Sequence, residues 1–269
     1  MLKIPPNIIS QSNENEIINK LFDVDYPFSC VSSNVLNKCK LNTSITEKLI
    51  CSLKSAYVLN FLVMNYNKVL SKKKYIASEY SNNNILHLSK KYKISPINIF
   101  RIVLIARGLN NKEIMDKIKI YVHSPSDIIN EYDEKQFQMA LKYDIYSLID
   151  QSEILKKSLK FEKKIEQILI ENNVKYKTQE QLTHEQKKEG KVFSTPDFLI
   201  ISPLKINDFD VYWIDAKNFY GANTNFIKSK IKKQTIKYIQ LYGAGCIIFN
   251  HGLSEKLHFD NIFLTNVIF

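Results

Sequence analysis

The sequence predicts an α+β protein, with an all-helical N-terminal region followed by a small α/β domain. Three observations carry that expectation. Residues 45–70, ITEKLICSLKSAYVLNFLVMNYNKVL, repeat apolar side chains at helical spacing. FLII (198–201) and VYWI (211–214) are short runs rich in apolar, β-branched and aromatic residues, and the turn-forming PLKINDF lies between them. Beyond residue 150 the patterns run helix, strand, strand, helix, strand, the order of a small α/β domain. We place the boundary near 150, giving domains 1–150 and 151–269. A chain of 269 residues carries a prior of about two domains.

In the first domain a polar break, SEYSNNN (78–84), follows the long helix. A helix is then expected at 84–92, a short turn, and a second helix from Pro96. Ser95 suits the N-cap, Pro96 the first helical position and Gly108 a C-terminal stop. Two helices across so short a turn resemble a helix-turn-helix, over about 84–108. A helix that reads DNA needs an outward polar face, and this one offers Asn98, Arg101 and Arg107 among seven apolar residues. A buried pair that only packs fits equally well. Arg101 is the candidate nucleic-acid contact. A further helix is expected at roughly 126–148.

In the second domain a charged helix is expected at about 153–172, strands at 196–202 and 210–217, a basic helix near 225–241, and strands at 245–250 and 261–268. Residues 211–217, VYWIDAK, pose a question. A strand has period two, so Val211, Trp213, Asp215 and Lys217 should share a face. An apolar face that ends in an acid and an amine needs a reason.

Composition narrows the options. The chain is 45% hydrophobic and 24% charged, as soluble globular proteins are. No apolar run reaches the roughly 20 residues of a membrane span, and MLKIPPNIIS lacks the features of a secretory signal. We expect no membrane partner and a nuclear or cytoplasmic, not secreted, location. Cys30, Cys39, Cys51 and Cys246 form no CxxC pair, which suggests reduced thiols. The five histidines show no HxH or HExxH pattern. Net charge is +11, which favours a polyanionic partner. Residues 216–254 contain no acid but include Lys217, Lys228, Lys230, Lys232, Lys233 and Lys237. The five lysines from 228 onward are a candidate phosphate track, or else a solvated helix face.

A partner for Asp215 can be deduced. If PLKINDF turns a hairpin centred on Ile206 or Asn207, antiparallel register sets Asp197 opposite Asp215, with Cβ atoms about 5 Å apart. Bare like charges so placed destabilise a sheet, and a divalent cation between them removes the problem. A third acid lies on the preceding helix. Its apolar arc contains Leu155, Leu159, Phe161, Ile165 and Leu169, and Glu162 falls within about 20° of the arc's centre with Glu166 about 60° away. Glutamates rarely face a core without a partner.

Glu162 on a helix, Pro196-Asp197 opening a strand, and Asp215-Ala216-Lys217 ending the next resemble the PD-(D/E)xK nucleases. More narrowly, FEKKIE, STPDF, WIDAKNFYG and KQTIKYIQLYGAG resemble the codanin-interacting nuclease family, also called the TPD-motif family. The resemblance is specific over about 155–252 and looser over 80–150. It implies an N-terminal helical region with helix-turn-helix elements and a C-terminal restriction-endonuclease-like domain. This chain lacks the glycine often found before the helical glutamate, and has Asp215 where the family more often has Glu. Gln234 and Tyr238 match a Gln-x-x-x-Tyr pattern of related nucleases, in which it lies near the active site. A packing role fits them as well.

The resemblance implies hydrolysis of phosphodiester bonds in nucleic acid, with DNA favoured over RNA as the substrate. Asp197, Asp215 and Glu162 would hold Mg²⁺, with Mn²⁺ as an alternative ion, and Lys217 would act on the phosphate. A codanin-like protein partner is also implied. The rival expectation is a catalytically weak or inactive scaffold that binds a protein or DNA.

Overall fold

The computed structural model describes residues 8–23, 27–147, 151–190 and 193–266. The expected boundary near 150 and the end of the last expected strand, 267–268, lie outside them. The chain divides into two compact units that do not follow chain order. Unit one combines Met1–Lys20, Leu36–Tyr57 and Asp150–Phe269, and unit two combines Leu21–Val35 and Val58–Ile149. Helix and strand segregate, and the class is α+β.

The N-terminal elements are a short strand β1 (Ile8–Ile9), α1 (Gln11–Phe22), α2 (Ser33–Cys39) and α3 (Glu47–Leu70). Alpha3 is long and apolar enough, by length and composition alone, to cross a membrane, which the search for apolar runs missed. It carries Glu47, Lys48, Lys54 and Lys68, and Leu49, Ile50, Leu53, Ala56, Val58, Leu62 and Val69 are buried within the protein. Phe61, Val63 and Met64 on the same helix are exposed.

Unit two continues with α4 (Lys73–Tyr80), α5 (Ile85–Tyr92), α6 (Pro96–Ala106), α7 (Asn111–His123) and α8 (Glu131–Tyr143). The expected 126–148 helix is shorter, because a 3-10 turn occupies Pro125–Asp127 and Asn130 caps α8 by accepting from Asp133 N–H. Alpha5 and α6 are joined by the expected three-residue turn, in which Lys93 takes a left-handed φ of 52°. Ser95 stands at the N-cap of α6 but does not cap it. Its hydroxyl pairs with Ser147 at 2.6 Å, and Asp144 accepts the Ile97 N–H at 3.2 Å instead.

Alpha6 is the centre of unit two. Pro96 through Phe100, and Ile102 through Leu104, are all buried. The polar residues that could have faced a DNA groove are engaged or enclosed. Asn98 donates to Ser95 at 2.9 Å, Arg107 grips Asp133 of α8, and the Arg101 Nε is buried. A groove-reading helix needs a free side, and on α6 that side is limited to the partly exposed Arg101, Ile105 and Ala106.

Unit one is built on a mixed five-stranded sheet. Its strands are β2 (Tyr176–Thr178), β3 (Phe198–Ile200), β6 (Trp213–Lys217), β7 (Gly245–Phe249) and β9 (Ile262–Asn266), paired in that order. Beta2–β3 and β3–β6 are antiparallel, and β6–β7 and β7–β9 are parallel. Beta7 is buried at every position, which is why GCIIF reads as one apolar run. A small hairpin, β4 (Lys205–Ile206) and β5 (Phe209–Asp210), sits within the β3–β6 connection. Asn207 and Asp208 form its two-residue turn with φ of 47° and 66°, the left-handed geometry of a tight hairpin. Beta8 (Leu253–Ser254) pairs in parallel with β1.

Three helices accompany the sheet: α9 (Gln151–Glu171), α10 (Gln179–Glu189) and α11 (Asn225–Tyr242). Phe161, Ile165 and Leu169 of α9 share a core with Phe198, Ile200, Ile214, Cys246 and Ile248. Leu155 and Leu159 remain exposed, so the buried arc of α9 is narrower than expected and Glu162 lies at its margin, half-buried. Val211 precedes β6 and joins the α9-side core with Ile214, not the face of Trp213. The strand begins at Trp213, so period two does not extend back to Val211.

Trp213 fixes β6 from the other side. Its Nε1 donates to Gly243 C=O at 2.9 Å, and its ring meets Tyr238 of α11 edge-on at 5.2 Å. The indole lies directly on Gly245, where a Cβ would come within 2.0 Å of the ring. We predict that Gly245→Ala destabilises the protein by about 1–3 kcal/mol through overpacking. Trp213 is the only tryptophan, so thermal unfolding followed by its emission reads both the stability and the ring's environment.

Candidate active site

Beta6 has two faces with different chemistry. Ile214 and Ala216 pack on the α9 side. Asp215 and Lys217 turn toward α11, where Gln234 meets both. The Gln234 carbonyl accepts from Lys217 Nζ at 2.9 Å, and its amide donates to Asp215 Oδ1 at 3.1 Å. One side chain thus bridges the acid and the amine, with its donor and acceptor ends assigned by their partners. Asp215 is fully buried. Its Oδ2 lies against the Lys217 ammonium in a charge-assisted contact. Burial pushes the Asp215 carboxyl up, and the Lys217 charge opposes that shift.

The β3–β6 ladder pairs Phe198 with Ile214 and Leu199 with Trp213. One step further along that register, Asp197 stands opposite Asp215. Asp197 Oδ2 accepts the Ala216 N–H at 2.7 Å. Its carboxyl is pushed up to about 7, first by burial and then by repulsion from Asp215, against the pull of that N–H. The two acids therefore disturb one another, as the sequence register anticipates. Tyr238 secures the approach to Asp197: its hydroxyl donates to Thr195 C=O at 2.8 Å and accepts from Gln234 at 3.0 Å. Burial raises Tyr238 to about 12, so it stays a donor at neutral pH. Gln234 and Tyr238 both join the cluster through these bonds.

Glu162 lies at the edge of the group. Burial raises its pKa, and Asp215 raises it further while Lys217 lowers it. Among the described residues, however, no three acidic, histidine or cysteine side chains converge as a metal-binding group. Asp197 and Asp215 are the more deeply buried pair, and the half-buried Glu162 interacts with both through its charge. Glu166 serves elsewhere, accepting from the Tyr176 hydroxyl of β2 at 3.0 Å.

The five lysines of α11 do not form one lane. At about 100° per residue, Lys230, Lys233 and Lys237 fall on the Gln234 flank of the buried arc, while Lys228 and Lys232 fall on the opposite flank. Lys230 lowers the Asp215 pKa and sits over the Phe219 ring at 5.8 Å. Lys228 and Lys232 instead line a cleft of about 560 Å³ with Ile236, Ile239 and the His258–Ile262 loop. Linear spacing had placed both sets on one track.

The segment opposite Asp215 reads Thr195-Pro196-Asp197. A family model described as a protein of unknown function with a TPD sequence motif matches residues 130–268. The chain belongs to the TPD sequence-motif family. The TPD triplet supplies two parts of the cluster: the Thr195 carbonyl held by Tyr238 and the Asp197 carboxylate. The chain is also 28% identical over 153 residues to an uncharacterized protein of Acanthamoeba polyphaga mimivirus, covering 55% of this chain and 54% of that one. It thus spans about half the length of the curated relative it matches. No solved structure matches.

Sequence reasoning missed the Ala216 N–H, because backbone donors carry no residue signature. It also missed Glu14 on α1, whose signal was present. Glu14, Ile17 and Leu21 fall on one helical face, and all three are buried, so an acid stands on an apolar face there too.

Proposed function

We propose that this TPD-family protein is a metal-dependent nuclease with a restriction-endonuclease-like catalytic unit. The carrying observation is the buried acid pair Asp197–Asp215 with Lys217 on the same strand face, joined by Gln234. Two mutually repelling carboxylates in a buried setting favour a hard cation with oxygen ligands. The Asp215 and Asp197 carboxylates would hold it, completed by waters and substrate oxygens, with the Lys217 ammonium beside Asp215 Oδ2. Mg²⁺ commonly binds through one or two carboxylates in this manner. Glu162 would act from further out, through a water or on the second side of the substrate.

The chemistry that a bound Mg²⁺ or Mn²⁺ supplies is a more acidic water and neutralisation of phosphate charge. Lys217 orients the nucleophilic water and stabilises charge that builds on the phosphate oxygens. Gln234 holds the Lys217 ammonium in place, and Tyr238 holds the backbone that presents Asp197. Lys230, Lys233 and Lys237 would carry the flanking phosphates, so nucleic-acid contact is assigned to α11 and not to the α5–α6 pair.

Two measurements test this reading. End-labelled DNA and RNA, single- and double-stranded, incubated with Mg²⁺ or EDTA should show cutting that depends on the metal, with DNA preferred. Intact substrate in both Mg²⁺ and Mn²⁺ would overturn it. For the contacts, Lys230→Ala or Lys237→Ala should each reduce the salt slope of binding by about 1. Lys228→Ala and Lys232→Ala should leave that slope unchanged.

A further inference from the structure

Glu14 is completely buried, far in sequence from the acid pair, and the chemistry above does not use it. It accepts from the Tyr57 hydroxyl at 3.0 Å and, over a short contact, from the Ser254 hydroxyl. The Tyr220 hydroxyl is buried beside the same carboxylate and lowers its pKa as a looser hydrogen-bonding neighbour. Tyr220 is three residues past Lys217. Its N–H donates to Ser52 Oγ of α3 at 2.8 Å.

The surrounding backbone extends this knot. The Lys217 carbonyl accepts from Asn250 N–H at 2.9 Å. Gly221 exchanges bonds with Gly252 and Ser254 at 3.0 and 2.9 Å, and a Cβ on Gly221 would meet Leu253 and Phe249 at 3.0 Å. Beta1 then pairs with Leu253–Ser254. Gln11 N–H donates to Glu255 at 2.9 Å, and Glu255 N–H to Ile9 at 3.0 Å. Residues 8–14 and 52–57 thus clamp the segment that leaves the Lys217 strand. A buried carboxylate costs free energy unless its hydrogen bonds are made, so its presence on this clamp calls for a role.

We propose that Glu14 is a positioning residue, and that the N-terminal segment it anchors is a working part of the catalytic unit, holding residues 218–222 and through them the Lys217 end of β6. The family model begins at residue 130, so this part lies outside the span it matches. The catalytic half of this inference rests on the nuclease reading. The structural half does not.

The test uses the full-length protein. Hydrogen exchange at the Tyr220, Gly221 and Ser254 amides is compared in wild type, Glu14→Gln and Glu14→Ala, with α6 amides as the reference. Glu14→Ala should speed exchange at those three amides by roughly tenfold while α6 is unchanged. Glu14→Gln, which keeps one acceptor, should fall between. In the cutting assay Glu14→Ala should lower kcat by about tenfold with KM within about twofold. Exchange at Tyr220 and Gly221 within about twofold of wild type would overturn the proposal. If Glu14→Ala unfolds, with α6 exchange rising too, Ser52→Ala decides by the same readout, because it removes the acceptor of the Tyr220 amide. A wild type that cuts nothing would sink the nuclease reading, while the exchange data would still decide the clamp.

Discussion

Replacing Lys217 with methionine is expected to reduce cleavage by about 10²–10³-fold, the usual cost of losing one electrostatic contact to the transition state. Methionine keeps most of the volume and removes the charge. The change also removes the cation in contact with Asp215 Oδ2, leaving the weaker pull of Lys230. Asp215 is already pushed up by burial, with Lys217 opposing. Without that opposition its folded pKa rises further above the unfolded value. Between those two values the folded state binds more protons than the unfolded state, so stability falls as pH rises. Lys217→Met should therefore lose little stability near pH 5 and clearly more near pH 8. Denaturant unfolding at the two pH values checks this. An equal loss at both would mean that Lys217 does not neutralise Asp215.

Asp197→Asn is expected to separate function from stability. The Asp197 carboxyl titrates at about 7, with burial the first cause and Asp215 the second. An acid with a raised folded pKa favours folding below its unfolded value and loses that contribution as pH climbs toward 7. The wild type without metal should thus weaken from about pH 4 to pH 7 at this site. Asparagine removes both the charge and the repulsion, and its carbonyl can still accept the Ala216 N–H. The variant should be more stable than metal-free wild type at pH 8 yet cut no substrate. Thermal melts at pH 5 and pH 8, with and without Mg²⁺, should show that only the wild type gains stability from the metal. Strain of this kind, retained at a cost to stability, is what a binding site for a cation requires.

Much of this site is legible in the sequence, and the reasons are local. Asp215 and Lys217 stand two apart on a strand, and that period assigns them one face. The ladder pairs Phe198 with Ile214, the register expected from a hairpin centred on Ile206 or Asn207, but the turn itself lies at Asn207–Asp208. The hairpin at Lys205–Asp210 runs in a different register from those pairs, so the connection's length alone does not fix them. Gln234 and Tyr238 are one helical turn apart, and α11 carries both to the cluster.

Other parts could not be read in this way. The split of the α11 lysines depends on which arc of the helix is buried, and a linear count does not contain that information. The α5–α6 pair has the spacing of a helix-turn-helix, and the seven apolar residues on α6 fit a packing helix equally well, so the sequence left both readings open. Beta1, β4, β5 and β8 have two residues each, too few for any periodicity to show. The role of the first 57 residues is a matter of long-range pairing. Ser52 meets Tyr220 and Glu14 meets Ser254 across most of the chain, and no local pattern encodes those partners.

The central claim is that Asp197 and Asp215 together hold a divalent cation. Calorimetric titration of the wild type and Asp197→Asn with Mg²⁺ and Mn²⁺ at pH 8 tests it most directly. The account predicts saturable binding to the wild type, weakened at pH 6 as Asp197 takes up a proton, and no binding to Asp197→Asn. Identical isotherms for the two proteins, or no binding by the wild type at pH 8, would contradict it.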